Sequence, residues 1–180
     1  MIMIDVGDFF LVEPSEIYTE QIREYRQDFL DTNCSMDGCG PLRKCEDPFT
    51  YISECEKCTA QDTLPEGLVI ATQFFYVRKA DNRLVGMIQV RHYFNDYLSK
   101  FGGHIGYSIR PSERRKGYAT SMLNAILPYC REIGLDKLLI TCIDGNIGSE
   151  KTIRNNGGVY ESTVYESGKN CSLKRFWITL

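Results

Sequence analysis

Strand-like and helix-like runs alternate through the last hundred or so residues of this 180-residue chain, and that order limits the fold more than any other feature. "TQFFYVRK" and "RLVGMIQVRHYF", starting at Thr72 and Arg83, are rich in β-branched and aromatic residues and are joined by "ADN", the signature of a hairpin. "HIGYSIR", beginning at His104, reads as the next strand. A helix follows, in which Tyr118, Met122, Ile126 and Cys130, with Ala119, Leu123 and Leu127, recur at three- and four-residue spacing. Pro128 is expected to kink or end it, and Gly134 suits its C-terminal turn. "KLLITC" (Lys137–Cys142) is almost wholly apolar, as a strand covered on both faces would be. "NIGSEKTIRNNGG" reads as a short helix capped by Asn146, and "VYESTVYES" and "CSLKRFWITL" as two closing strands. The order predicts an α/β chain with a mixed sheet covered by helices.

Upstream the pattern is weaker. "DFFLVEP" (Asp8–Pro14) predicts a first strand. A helix capped by Ser15 follows, with a rough stripe of Ile17, Ile22, Tyr25, Phe29 and Leu30. Gly38, Gly40 and Pro41 break residues 33–47 into a loop, and "PFTYISECEKC" reads as a second short helix. The length fits one domain over residues 1–180, and 43% hydrophobic against 25% charged residues is an ordinary globular composition. No stretch reaches the roughly 18 apolar residues of a membrane span, and the acidic start lacks the basic segment of a secretory leader, so a cytoplasmic location is expected. The eight cysteines are then expected as free thiols. Cys55-x-x-Cys58 is half of a zinc site by spacing but has no second half, and no metal is expected.

The informative stretch is "RPSERRKGYA", Arg110 to Ala119. Helix N-termini favour carboxylates, because their free N–H groups and macrodipole are already positive. Arg114, Arg115 and Lys116 at such a place make sense if an anion sits among them. Small residues at Gly117 and Ala119 would let a pyrophosphate approach the amides closely. The net charge of −3 keeps this basic cluster local and argues against a general nucleic-acid binder. Neither of the two common glycine-rich nucleotide motifs is present.

In this context "IRPSERRKGYA" resembles motif A of the GNAT N-acetyltransferase superfamily, [QR]-x-x-G-x-[GA], and "NIGSEKTIRNNGG" resembles the family's asparagine block after the next strand. The chain is especially similar to a bacterial subgroup of unassigned substrate. The resemblance covers residues 72–165 as an acetyl-CoA-binding core and leaves 15–70 as a helical and loop arm on the acceptor side. It implies a twisted, mostly antiparallel sheet with splayed strands flanked by helices, and acetyl transfer from acetyl-CoA to a primary amine by direct attack. It also implies that Tyr107, Ser108 and Ile109 offer backbone groups to the pantetheine arm, that Arg114, Arg115, Lys116, Gly117, Tyr118, Ala119 and Thr120 cradle the pyrophosphate, and that Asn146 and Ser149 flank the arm. The family often has a tyrosine acid where this chain has Ile153. That departure favours an alternative, a non-catalytic acyl-CoA-binding sensor module.

His104, on the strand face shared with Gly106 and Ser108, is a candidate base or water-orienter beside its reading as a structural histidine. Tyr160 and Tyr107 are candidate acids by proximity in sequence, beside core or cross-strand roles. The expected partners are acetyl-CoA and a small-molecule or peptide amine. Dimers are common in the family, but nothing in the chain sets an oligomeric state.

Overall fold

The computed structural model describes residues 1–180. One eight-stranded sheet runs through the molecule. Its strands are β1 (Met3–Val6), β2 (Phe9–Val12), β3 (Ala71–Arg78), β4 (Arg83–Arg91), β5 (Ile105–Ile109), β6 (Lys137–Ile143), β7 (Val159–Glu166) and β8 (Cys171–Thr179), in the spatial order β1-β2-β3-β4-β5-β6-β8-β7. Every neighbouring pair is antiparallel except β5 and β6. That parallel pair is joined through α3 (Tyr118–Glu132), as a parallel connection requires. The remaining helices are α1 (Thr19–Asp31), α2 (Pro48–Lys57) and α4 (Ile147–Asn155).

Alternation along each strand sends side chains to two cores. Phe74, Tyr76, Val85, Ile88, Ile105 and Ile109 meet α3 and α4 in a cluster of 19 buried residues. Phe75, Val77, Leu84 and Met87 meet α1 and α2 in a second cluster of 14. α3 illustrates which force wins. Pro128 removes one helical hydrogen bond and crowds the preceding turn, a cost of about 3 kcal/mol in a helix interior. The helix nevertheless runs on to Glu132, because Ile126, Tyr129 and Cys130 are buried beside it, and each large apolar side chain contributes about 1.5–3 kcal/mol. Of the two expectations for Pro128, a kink or a stop, the stop is therefore corrected. Gly134 does close the helix, with φ 87° and its N–H donating to Arg131 O.

Two more expectations change. The single first strand is a hairpin, β1–β2, turning at Gly7, because "MIDV" (Met3–Val6) pairs with "FFLV". Ser15 precedes a short 3₁₀ turn (Glu16–Tyr18), its side chain caps nothing, and Ile17 of the expected stripe is 76% exposed. The second helix forms at α2, capped by Asp47, which accepts from Thr50 N–H. The loop after β4 contains a single π-type turn (Leu98–Gly102), tied down where Arg175 Nη1 donates to Ser99 O and Lys100 O.

The outer strands β7 and β8 are joined by Glu161, which accepts from Arg175 Nε and from Trp177 Nε1. Those bonds, Arg175 foremost, hold its carboxyl down at about 2. The folded pKa is depressed, so its stabilisation is fully present above the unfolded value of about 4.3 and drains as pH falls toward 2. Urea midpoints measured from pH 6 to 2.5 should fall less steeply in Glu161→Gln than in the parent chain.

Candidate functional site

β5 and β6 share one register position, Ile105 against Ile140, and then part. β5 remains paired with β4 along its whole length, from Val90–Ile105 to Gly86–Ile109. At one end of β5 Arg91 N–H donates to His104 O, and at the other Arg110 N–H donates to Val85 O. Antiparallel ladders alternate, so Gly106 and Ser108 also spend their backbone groups on β4, while those of Tyr107 and Ile109 face the gap toward β6. The gap is thus lined by backbone hydrogen-bonding groups that no strand satisfies, apart from Ile109 O, which accepts from Arg114 Nε at 3.1 Å.

The closed end of the gap is sealed by His104. Its backbone N–H donates to Leu139 O at 2.8 Å, and its Nδ1 accepts from Leu139 N–H at 3.0 Å. The imidazole therefore completes a rung that β5 and β6 would otherwise lack, and its proton belongs on Nε2. Burial, followed by the nearby Arg91 cation, lowers its pKa to about 4. A ring whose Nδ1 is committed to a backbone amide, 6% exposed and so reluctant to charge, suits a structural latch better than a base working near neutrality.

Beyond Ile109 the chain makes a 3₁₀ turn (Pro111–Glu113) and then a loop in which Arg115 (φ 67°) and Gly117 (φ 80°) are both left-handed. Residues 114–117 are exposed. Ser121 N–H, bonded to Gly117 O, is the first amide of α3 to find an internal acceptor, so the amides of residues 115–120 are unpaired. Nothing lies within 4 Å of a Cβ built on Gly117, so the concavity is open. Alternating backbone hand with consecutive free N–H groups is an anion-binding geometry.

The three cations divide their work. Arg114 is held inward by Ile109 O, with Nη1 at 3.4 Å from Cys34 Sγ and its guanidinium over the Phe29 ring. Lys116 Nζ pairs with Glu113 at 2.8 Å. Arg115 makes no hydrogen bond or ion pair, and it alone is free to fold over an anion. Arg114 and Lys116, also exposed, each already have a protein partner that an anion would have to share. Glu113, buried among Arg78, Arg83 and Lys116, braces the turn.

Across the gap, Asn146 caps α4, its Oδ1 accepting from Ser149 N–H at 3.1 Å. Tyr107 hydroxyl reaches over from β5 to lie 2.8 Å from Ser149 Oγ. Ser108 belongs to the other face, with Oγ 3.1 Å from both Tyr25 hydroxyl and Cys39 Sγ. Ile153 is fully buried in the α3–α4 core, where a polar side chain would have no room to reach the gap. Tyr160 stands on the edge strand β7, separated from β6 by β8, with its hydroxyl on Thr163 at 2.9 Å. Sequence proximity misplaced it, because β7 and β8 add to the sheet in reversed order, and its candidacy as an acid is withdrawn.

Sequence reasoning missed the α1–α2 loop. Gly38 (φ 71°) lies flat on the Gly106–Tyr107 peptide, and a Cβ there would come within 2.1 Å of Gly106 C and O. Asp37 is therefore carried to the edge of β5, exposed, with Ser35 donating to its carboxylate. A row of polar residues crosses the same face, Gln73 on β3 opposite Gln89 on β4 opposite Gly106 on β5. The paired glycines were the available signal, but nothing local shows that they touch. No group of three or more His, Cys, Asp or Glu is arranged to hold a metal, and all eight cysteines are free.

Two measurements check this geometry. The His104 imidazole should not titrate above about pH 5 by NMR, and stability should decline as pH falls from the unfolded value of about 6.5 toward 4, the window in which only the unfolded chain takes up this proton. Gly38→Ala should cost at least about 2 kcal/mol in urea unfolding, from backbone overlap added to left-handed strain.

Comparison with known proteins agrees with this architecture. The family described as acetyltransferase (GNAT) domain matches residues 42–159. An uncharacterised N-acetyltransferase, YnaD of Bacillus subtilis (strain 168), is 30% identical over 88 residues, and the match covers 48% of this chain and about half, 49%, of that protein. The ribosomal-protein-S5-alanine acetyltransferase of Vibrio fischeri superposes with a TM-score of 0.74 at 14% identity, over 99% of this chain and 97% of that one. RimL, a ribosomal L7/L12 α-N-protein acetyltransferase solved with coenzyme A, gives 0.73 at 13% identity over 99% and 98%. With the family matched over well more than half of its length and the fold shared end to end, the chain belongs to the GNAT acetyltransferase family.

Proposed function

We propose that the chain is an N-acetyltransferase that moves an acetyl group from acetyl-CoA to a primary amine. The observation that carries this reading is the conjunction of two sets of unpaired backbone groups, the open edge of β5 at Tyr107 and Ile109 and the amides of residues 115–120 that follow it in the chain. A diphosphate placed on the second set leaves a thioester arm running along the first. The fit is supported by the open space over Gly117, by the free Arg115, and by Asn146 with exposed Ile143 and Ile147 on the opposite wall, which offer polar and apolar contact to a pantetheine arm. In this reading the whole chain acts as one catalytic unit, with residues 72–165 holding acetyl-CoA and residues 15–70 shaping the acceptor side.

The amine attacks the thioester carbon, the C–S bond breaks, and the thiolate leaves. A β5 N–H facing the gap is a fixed donor for the oxygen that becomes negative during attack, a type of contact worth several kcal/mol when already in place. An alkylamine of pKa about 10.4 costs roughly 4–5 kcal/mol to deprotonate at pH 7, so its proton needs a destination. Asp37, beside the Gly106–Tyr107 peptide, is the carboxylate placed to receive it, directly or through water. Tyr107, with its pKa pushed well up by burial, stays protonated and can hand its proton to the departing sulfur from β5, in the absence of an acid at Ile153. His104 and Ser108 serve as positioning residues.

Thiol release from acetyl-CoA across an amine panel, measured beside a thermal shift with CoA, tests the proposal. Acetyl-CoA at about 100 times its Kd should add roughly 2.7 kcal/mol of stability. Gly117→Glu should remove the shift by setting a carboxylate where the diphosphate would lie. Tyr107→Phe and Asp37→Asn should each lower turnover roughly 100-fold while keeping it. The buried Ile153 favours a second reading, an acyl-CoA-binding sensor without turnover; a full shift with no thiol release on any amine would select it.

A further inference from the structure

Two cavities flank α2 on the face away from α3 and α4. One, of about 480 Å³, is lined by Glu13, Glu16 and Glu56. The other, of about 640 Å³, lies between the loop after α1, the floor of β4 and the turn after β4, and its volume is typical of a small-molecule site. Its charged lining is Arg43, Lys44, Glu54 and Arg91, with Gln89 on the floor and Tyr97 on the wall.

The signs do not balance within the protein. Glu54 is the only carboxylate of the four, and it is already taken by Lys57 at 2.6 Å. Tyr97 hydroxyl lies between Glu166 and Lys169, at 2.7 Å from each. Arg43 donates to Cys34 O, and neither it nor Lys44 forms an ion pair. Arg91 is the decisive group. It is partly buried, and its Nη1 donates only to the carbonyls of Gly102 and Gly103, at 3.1 and 3.3 Å. Burial disfavours its charge, and Tyr97 and Asp37 offset this only from a distance, without an ion pair. A half-buried guanidinium with two backbone carbonyls but no carboxylate of its own has unspent donors for an oxyanion, and its planar fork suits a carboxylate or phosphate.

Arg91 also links the cavity to the cleft. Its Nη2 comes within 3.1 Å of a Cβ built on Gly106, the residue whose peptide with Tyr107 borders the gap. An oxyanion on Arg91 would hold a small acceptor beside Gly106, with the Gly38 backbone packed on the same residue.

We infer that the acceptor is an amine that also carries an oxyanion, carboxylate or phosphate, bound by Arg91 in the cavity beneath the α1–α2 loop with Lys44 at its rim. The inference rests on the acetyltransferase reading and deepens it by naming the substrate class.

Matched probes test it. 4-Aminobutyrate is compared with butylamine, and phosphoethanolamine with ethanolamine, as acceptors at saturating acetyl-CoA, and as ligands of the CoA-loaded protein by calorimetry. An anionic probe should show a kcat/KM at least about 10-fold above its neutral partner, mostly through KM. The pair that shows the larger gap tells carboxylate from phosphate. Arg91→Met should abolish that preference, bringing each anionic probe to the kcat/KM of its neutral partner, while Lys44→Met, at an exposed position, should reduce it by a smaller factor. The CoA thermal shift of each variant reports that folding and the cofactor cleft are intact. Should Arg91→Met lose that shift, Arg91→Lys decides, because it keeps the charge and loses the fork, and a weakened preference is expected. A full CoA shift with neutral amines used as well as anionic ones, with neither kind bound, or with the preference undiminished in the variants, overturns the inference alone. No CoA shift in the parent protein overturns the acetyltransferase reading and this inference together.

Discussion

A single parallel rung between Ile105 and Ile140 is the constraint from which the rest of this structure follows. Had β5 and β6 remained paired, the backbone groups of Tyr107 and Ile109 would be spent inside the sheet. Because the strands part, those groups stand open, and an unsatisfied backbone donor or acceptor next to a cleft is a binding capacity. The parting is confined by the His104 ring, which replaces a ladder bond with a side-chain bond to Leu139 N–H. Farther along, Tyr107 and Ser149 keep the two walls in register across the gap.

The same strand explains why both faces of the sheet matter. Ile105, Tyr107 and Ile109 look toward α3 and α4, whose starts, with the loop before α3, carry the open amides of residues 115–120 and the Asn146 cap. Gly106 and Ser108 look toward α1 and the loop after it, where Gly38 touches down on the backbone and Cys39 and Tyr25 hold Ser108. One five-residue strand therefore has an open backbone edge on one side and, on the other, a face covered by Gly38, with Arg91 from the neighbouring cavity reaching its middle at Gly106.

Much of the frame was legible beforehand, and for local reasons. The β3–β4 hairpin, the apolar β6, the amphipathic α3 closing at Gly134, and the Asn146 cap all depend on neighbours within a few residues, where side-chain periodicity and turn chemistry act. The loop with unpaired amides before α3 was legible too, because cations before a glycine at a helix start contradict the usual preference. The errors were non-local. Pro128 was outweighed by the burial of residues around it. β1 was invisible without its partner β2. Tyr160 was drawn toward the site by its number and placed far from it by strand order.

The sequence by itself determined the succession of elements, the basic loop before α3 and the family resemblance, because each is written in residue types at fixed short spacing. Only the tertiary structure decided that Arg114 and Lys116 are committed to the protein while Arg115 is free, that His104 is a latch, that Gly38 seats Asp37 at the edge of β5, and that Arg91 lacks a counter-ion. Each of those depends on a partner brought close by the fold from a distant part of the chain, and charge, hydrogen bonding and burial are properties of what a group meets, which spacing along one chain does not specify.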